Sequence, residues 1–273
     1  MSLYKYFKDK KIIVDRALDS YLPEAKSYPS IIHQAMRYAV LNGGKRFRPI
    51  LAIATCEALG GKVKDVLPAA CALEMIHSYS LIHDDLPCMD NDMFRRGKPT
   101  VHKKFGEAIA VLAGDALLTQ AFQVLGGVKN PKLVQRLIPS IAHAVGSTGM
   151  IGGQVVDKQI SLVKRPELPQ ISYVNISKTG QLIRVSCLTG AVAAGANGSR
   201  EKSISYYGEC LGFSYQIVDD IIDSDGFVRI MSRHEAQDEA RLLTEKAKKS
   251  LKFLGAKGKR LAEIADFVLN RNA

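Results

Sequence analysis

The sequence lacks any cysteine pattern that would bind a metal or build a disulfide scaffold. Its five cysteines, Cys56, Cys71, Cys88, Cys187 and Cys210, are scattered and odd in number, and none form a C-x-x-C pair. This excludes a disulfide framework and a structural zinc site and fits a reducing cytoplasm, the expected location. All but Cys88 sit in apolar segments and read as small core residues. No charge-free run of about 18 apolar residues occurs, so no membrane span is expected. The opening stretch, MSLYKYFKDKKIIVDRALDS, is too charged for a secretory signal. Alternating apolar–polar stretches are missing, as are Asn-Gly turns flanked by them, so the chain carries no strand signal. Repeats, low-complexity tracts and linkers are missing as well.

What remains is helix after helix. With 273 residues, 47% of them hydrophobic, the chain can bury a large core. Helical spacing of apolar residues predicts helices over 29–44, 48–61, 66–86, 107–127, 131–151, 170–195, 200–223, 235–253 and 258–270. Ser30 is a candidate N-cap, and Gly43-Gly44 is a stop. Several of these segments are apolar nearly all round, as buried helices of a large bundle are. The expectation is one all-α domain over residues 1–273.

Net charge is +11 and the isoelectric point about 9.4, which favours anionic partners: nucleic acid, acidic lipid or phosphorylated small molecules. Against that balance stands LIHDDLPCMDNDMFRRGKP, residues 81–99, with four aspartates between Asp84 and Asp92. In an unbroken helix Asp84 and Asp90 would point about 120° apart. Pro87 disfavours helix at the residue before it, so a stop near Leu86 lets Asp90 swing back toward Asp84. Carboxylates this dense repel one another unless a cation lies between them. Mg²⁺ suits such a site, taking one or two carboxylates and completing its shell with phosphate oxygens. A plain acidic loop is the competing reading. Two features oppose it: carboxylates are misplaced at a helix C-terminus, and Arg95, Arg96 and Lys98 follow at once, with guanidinium forks that match phosphate.

A second cluster, FSYQIVDDIID at 213–223, puts Asp219 and Asp223 four residues apart on one helix face, with Asp220 off it. Two Asp-rich helices facing one another would hold several divalent ions. GGKRFRP at 43–49 sets Lys45, Arg46 and Arg48 before a helix, a plausible anion site, although alone it reads as an ordinary basic loop. His77 lies two turns before Asp84. Lys178 and Thr179 precede Gly180 inside an apolar helix. Gln154 and Asp157 read as helix-to-helix hydrogen bonding, and Asp115 as a buried structural acid.

Taken in order, GGKRFRP, LEMIHSYSLIHDDLPCMDND, RRGKPTVH, LAGDALL, GGQVVD, KTG and YQIVDDIID resemble the trans-prenyl diphosphate synthases, close to bacterial-type farnesyl diphosphate synthases. The resemblance implies an all-α bundle with a deep central cavity, usually a homodimer, that condenses isopentenyl diphosphate head-to-tail with an allylic diphosphate. It implies that Asp84, Asp85 and Asp90 bind two Mg²⁺ ions and Asp219, with Asp220 and Asp223, a third. Arg95, Lys178, Thr179 and Gln216 would then contact the allylic substrate, and Lys45, Arg48, His77 and Arg96 would hold isopentenyl diphosphate. A bulky residue five before the first aspartate, here Tyr79, resembles a floor under the growing product. It favours the fifteen-carbon farnesyl chain over the twenty-carbon alternative. The family's two-lysine lid loop after the second acidic motif is missing from SDGFVRIMSRHEAQDEARLL, where Arg229 and Arg233 are basic but not evident equivalents. Either the lid is shortened or a stretch is absent from the sequence. A non-catalytic partner subunit of the same fold, a terpene cyclase and a helical nucleic-acid-binding protein are the other classes. The intact acids and arginines oppose the first, the apparatus for a second diphosphate opposes the second, and the lack of any nucleic-acid motif opposes the third.

Overall fold

A computed structural model describes residues 1–163 and 167–271. The chain is all-α, with one two-residue-per-strand hairpin as its only β structure among those residues. It divides into two compact units, residues 1–50 with 67–134 and residues 51–66 with 135–273.

The first unit holds α1 (Leu3–Tyr21), α2 (Ser30–Leu41), the start of α3 (Phe47–Ala58) and most of α4 (Val63–Asp84). It continues through the hairpin β1 (Phe94–Arg95) and β2 (Lys98–Pro99), α5 (Val101–Phe105), α6 (Glu107–Gly126) and the start of α7 (Pro131–Val145). Here α2 packs on α1, α5 and α6. Along α4 every side chain from Ala69 to Ile76 is buried, so the helix is apolar all round because it is enclosed all round. By contrast α6 buries only one stripe, Ala110, Ala113, Gly114, Leu117, Ala121, Val124 and Leu125. Its other face carries Val111, Leu112 and Asp115 to the surface, so the expectation of a buried Asp115 fails: its side chain is 62% exposed. This helix is also the one among the described residues that is long and apolar enough to cross a membrane by composition.

The second unit contains the remainder of α3 and α7, then α8 (Met150–Ile160), α9 (Leu168–Val174), a π-helical turn (Asn175–Gly180), α10 (Gln181–Ala193), α11 (Gly198–Asp223), α12 (Arg233–Ser250) and α13 (Lys259–Leu269). At its centre α11 packs on α10, α12, α13 and the π-turn. That packing depends on glycine: a Cβ on Gly212 would lie 2.8 Å from the Gly180 Cα, so the two backbones meet directly.

The helix spans largely match the periodicity, with instructive exceptions. The segment expected over 131–151 breaks between Val145 and Met150, where GSTG withdraws helix propensity. The segment over 170–195 is interrupted by the π-turn, in which one extra residue is accommodated between α9 and α10. Ser30 does not cap α2; Pro29 holds the cap position and offers no side-chain acceptor. All five cysteines are free, and only Cys88 is exposed. Burial pushes the Cys56 thiol up to about 12, which suits inert core thiols.

Candidate active site

In the first unit the acidic cluster grows out of the end of α4. Asp84 is its last residue, and the following turn folds back: Asp90 N–H donates to the Asp84 carbonyl at 2.8 Å, and Asn91, at φ 55°, donates to the Leu86 carbonyl. The break at Pro87 thus returns Asp90 to Asp84. Asp84 is half-buried and Asp90 exposed. Asp85 differs: it is buried, and Arg95 Nε donates to its Oδ1 at 2.7 Å. Burial raises the Asp85 pKa against the opposing pull of Arg95. Arg95 also pairs with Asp92 at 3.1 Å. Burial works against the Arg95 charge, yet Asp85, Asp92 and Asp84 together lift its pKa above the ordinary arginine value.

Arg95 and Arg96 sit on the hairpin, whose turn residues Arg96 and Gly97 both adopt positive φ, 55° and 74°, as a two-residue turn between twisted strands demands. The turn throws Arg96 across the GGKRFRP loop: its Nη1 donates to the Gly43 carbonyl at 2.9 Å. In that loop Arg46 is structural. It is buried, and all three of its nitrogens are engaged, with Asp15 at 2.7 Å, Glu74 at 2.9 Å and the Val40 carbonyl at 2.7 Å. Lys45 is exposed and Arg48 half-buried. Burial, then Arg46, Arg95 and Arg48, lower the Arg96 pKa despite Glu74. His77 on α4 is held well below its usual value by burial and by Arg48, Arg96, Arg95 and Arg46, so it is neutral at neutral pH. A neutral imidazole among four arginines is a place for an anion.

Tyr79, one turn and more before Asp84, is buried, and its hydroxyl makes no hydrogen bond within the protein. Burial, with a smaller contribution from Asp84, pushes its pKa up to about 12. Its ring meets His83 edge-on at 5.8 Å.

The second unit holds the other cluster. Asp220 is buried and fully occupied: it accepts from Gln216 Nε2 at 2.9 Å, Asn175 Nδ2 at 3.0 Å and Phe227 N at 3.0 Å. Burial raises its pKa while these three bonds resist. The backbone wraps over it at Gly226, where φ is 53° and a Cβ would strike the carboxylate at 2.1 Å. Asp219 and Asp223 lie on the neighbouring face of α11. Asp219 is about one-third exposed and pairs with Arg271 at 2.6 Å, while Asp223 is exposed. Lys178 and Thr179 are half-buried on the π-turn, and Lys178 Nζ pairs with Asp157 at 2.7 Å. Gln154, expected in helix-to-helix hydrogen bonds, makes none through either buried amide atom. The connection from α11 to α12 is short: a 3₁₀ turn (Gly226–Arg229), Arg229 beside Asp225 at 3.6 Å, Arg233 on the Ser224 hydroxyl at 3.1 Å, and a capping box from Ser232 and Glu235.

The six aspartates expected as metal ligands therefore differ in what they touch. Asp85 and Asp220 are buried on protein donors, whereas Asp84, Asp90, Asp219 and Asp223 reach toward solvent. Among the described residues no three acidic, histidine or cysteine side chains converge into a cage. An all-oxygen set of one or two carboxylates per site, open to water and phosphate, fits Mg²⁺ and fits zinc poorly. Sequence reasoning missed Asn175, Arg271, Asp15 and Glu74, none of which carries a local signal.

The polyprenyl synthetase family model matches residues 29–241. The geranylgeranyl diphosphate synthase of Cyanophora paradoxa is 38% identical over 293 aligned residues, covering 99% of this chain and 97% of that protein. The farnesyl diphosphate synthase of Geobacillus stearothermophilus is 41% identical over 244 residues, 88% of this chain and 82% of its own. The crystal structure of an FPP/GFPP synthase from Zymomonas mobilis superposes with a TM-score of 0.94 at 37% identity and covers 98% of each chain. The chain belongs to the polyprenyl synthetase family and is a trans-prenyl diphosphate synthase.

Proposed function

We propose that the chain joins isopentenyl diphosphate head-to-tail to geranyl or dimethylallyl diphosphate and stops at farnesyl diphosphate. The observation that carries the two-substrate reading is the pairing, on one unit, of an acidic turn at Asp84–Asp90 with a separate group of arginines, Arg48 and Arg96 among them, around His77. One diphosphate needs metal and the other needs arginine, which also distinguishes this chemistry from a cyclase that handles a single diphosphate.

On the first unit Asp84 and Asp90, and on the second Asp219 and Asp223, would hold Mg²⁺, three ions in all, while Asp85 and Asp220 set their neighbours' positions. Bound there, Mg²⁺ neutralises charge gathering on the departing diphosphate. On the first unit Arg95 would contact the allylic substrate and Lys45, Arg48, His77 and Arg96 would hold isopentenyl diphosphate; on the second, Lys178, Thr179 and Gln216 would contact the allylic substrate. The allylic C–O bond breaks, the double bond of the second substrate forms the new C–C bond, and a proton leaves. Apolar helices keep water from the allylic cation. The bulk of the buried Tyr79 ring, five residues before Asp84, supports a fifteen-carbon limit.

A twenty-carbon product is the second reading, and the name of the Cyanophora relative favours it. The chain would act as one domain, as a cytoplasmic homodimer, with the exposed Val111 and Leu112 on α6 as part of the subunit contact. Purified protein, Mg²⁺ and labelled isopentenyl diphosphate with geranyl diphosphate test all of this by product chromatography. A C15 peak supports the proposal and a C20 peak the second reading. No turnover points to a partner subunit.

A further inference from the structure

One arginine outside every motif sits on the acidic face of α11. Tyr215, Asp219 and Asp223 follow one another at four-residue steps, one above the next. Arg271 spans the lower two. Its guanidinium pairs with Asp219 at 2.6 Å, donates to the Tyr215 carbonyl, and lies 3.5 Å from the centroid of the Tyr215 ring. The arginine side chain is 9% exposed and the Asp219 side chain 35%. The carboxylate thus keeps an open side through which a cation can reach it, while the guanidinium covers the rest.

The pair does not have the construction of a permanent structural bridge. A permanent one exists in the same protein: every nitrogen of Arg46 has an acceptor. In Arg271 the Nε is buried and makes no hydrogen bond, so the side-on, two-bond grip of a strong arginine–carboxylate pair is not formed. A half-open cavity beside it, lined by Gln237 and Leu269 with Arg233 and Arg241 at its edge, leaves the side chain room to swing out into water, away from the two arginines.

We propose that Arg271 is a tethered counter-ion of Asp219. It holds the carboxylate until a divalent cation arrives with diphosphate, so that metal loading and release of the C-terminal arginine are a single exchange. The exchange rests on the reading of Asp219 as a metal ligand. Like charges exclude one another at this range: guanidinium and divalent cation cannot both sit against a carboxylate one-third exposed without mutual repulsion. The arginine therefore sets a threshold for metal occupancy and keeps the acidic face neutral when no diphosphate is bound.

Mn²⁺ binding in the presence of inorganic pyrophosphate, followed by electron paramagnetic resonance, tests this on the full chain. Arg271→Gln is expected to bind Mn²⁺ about three- to fivefold tighter than wild type, the scale of a partly exposed ion pair. Arg271→Lys keeps the charge and stays within about twofold of wild type. Asp219→Asn binds more weakly in either background. Hydrogen exchange of the 259–271 segment should quicken in wild type when Mn²⁺ and pyrophosphate are added, and be quick from the start in Arg271→Gln. If Arg271→Gln binds Mn²⁺ no tighter while Asp219→Asn loses affinity, the exchange is wrong and the metal reading stands. If Asp219→Asn binds as wild type, both fall. Far-UV circular dichroism confirms that each variant is folded.

Discussion

Adjacent aspartates on α11 should fail in opposite ways when removed. Asp220→Ala takes the acceptor from three donors, the Gln216 and Asn175 amides and the Phe227 backbone N–H, at 2.9, 3.0 and 3.0 Å. Bonds to a charged acceptor contribute about 1.5–3 kcal/mol each. Burial of the carboxylate, which raises its pKa, offsets part of that sum. Three buried neutral donors left without an acceptor cost about 1–3 kcal/mol each, and relief of the carboxylate's desolvation brings the net to about 3–5 kcal/mol. At about 2 °C per kcal/mol for a chain of this length, the melting temperature should fall by roughly 6–10 °C. Asp219→Ala removes an ion pair whose carboxylate is one-third exposed and whose arginine keeps the Tyr215 carbonyl and ring, and such pairs contribute about 0–1 kcal/mol. Its melting temperature should stay within about 2 °C, while turnover of isopentenyl and geranyl diphosphate is abolished. Thermal unfolding by circular dichroism at 222 nm and a labelled-substrate assay measure both quantities on the same preparations. If Asp220→Ala melts with wild type, or Asp219→Ala retains wild-type turnover, the division of labour on α11 is refuted.

Two further predictions concern the first unit. Tyr79→Ala opens the space now filled by a buried ring and should shift the products toward longer chains; an unchanged chromatogram counts against Tyr79 as the floor. Glu74→Ala strands the buried Arg46 guanidinium and should cost about 3–5 kcal/mol, whereas Asp15→Ala, on the more exposed partner, should cost about 1 kcal/mol. Denaturant midpoints for the two variants decide, and equal losses would mean that Arg46 is not held mainly from within.

Those partners show where sequence reading stops. Helix positions were legible because apolar spacing, glycine pairs and prolines are local signals: α4 ends at Asp84 just before Pro87, as the residue order requires. The return of Asp90 to Asp84 was legible for the same reason, since a break within six residues leaves the chain few routes. The π-turn at Asn175–Gly180 was not, because its irregularity answers to the contact of Gly180 with Gly212, 32 positions away.

The sequence by itself determined that this chain is all-α and that it carries two aspartate motifs with a paired-arginine element between them. Only the tertiary structure decided what each of those charges does. Asp85 and Asp220 look like their neighbours in the sequence, yet each is buried against donors brought from elsewhere, Arg95 for one and Asn175 and Phe227 for the other. Arg46 stands between Lys45 and Arg48 in one basic loop, yet Asp15 and Glu74 claim it for the scaffold. The physical reason is that a charge's role depends on its solvation and its partners, and distant segments supply both once they fold against it.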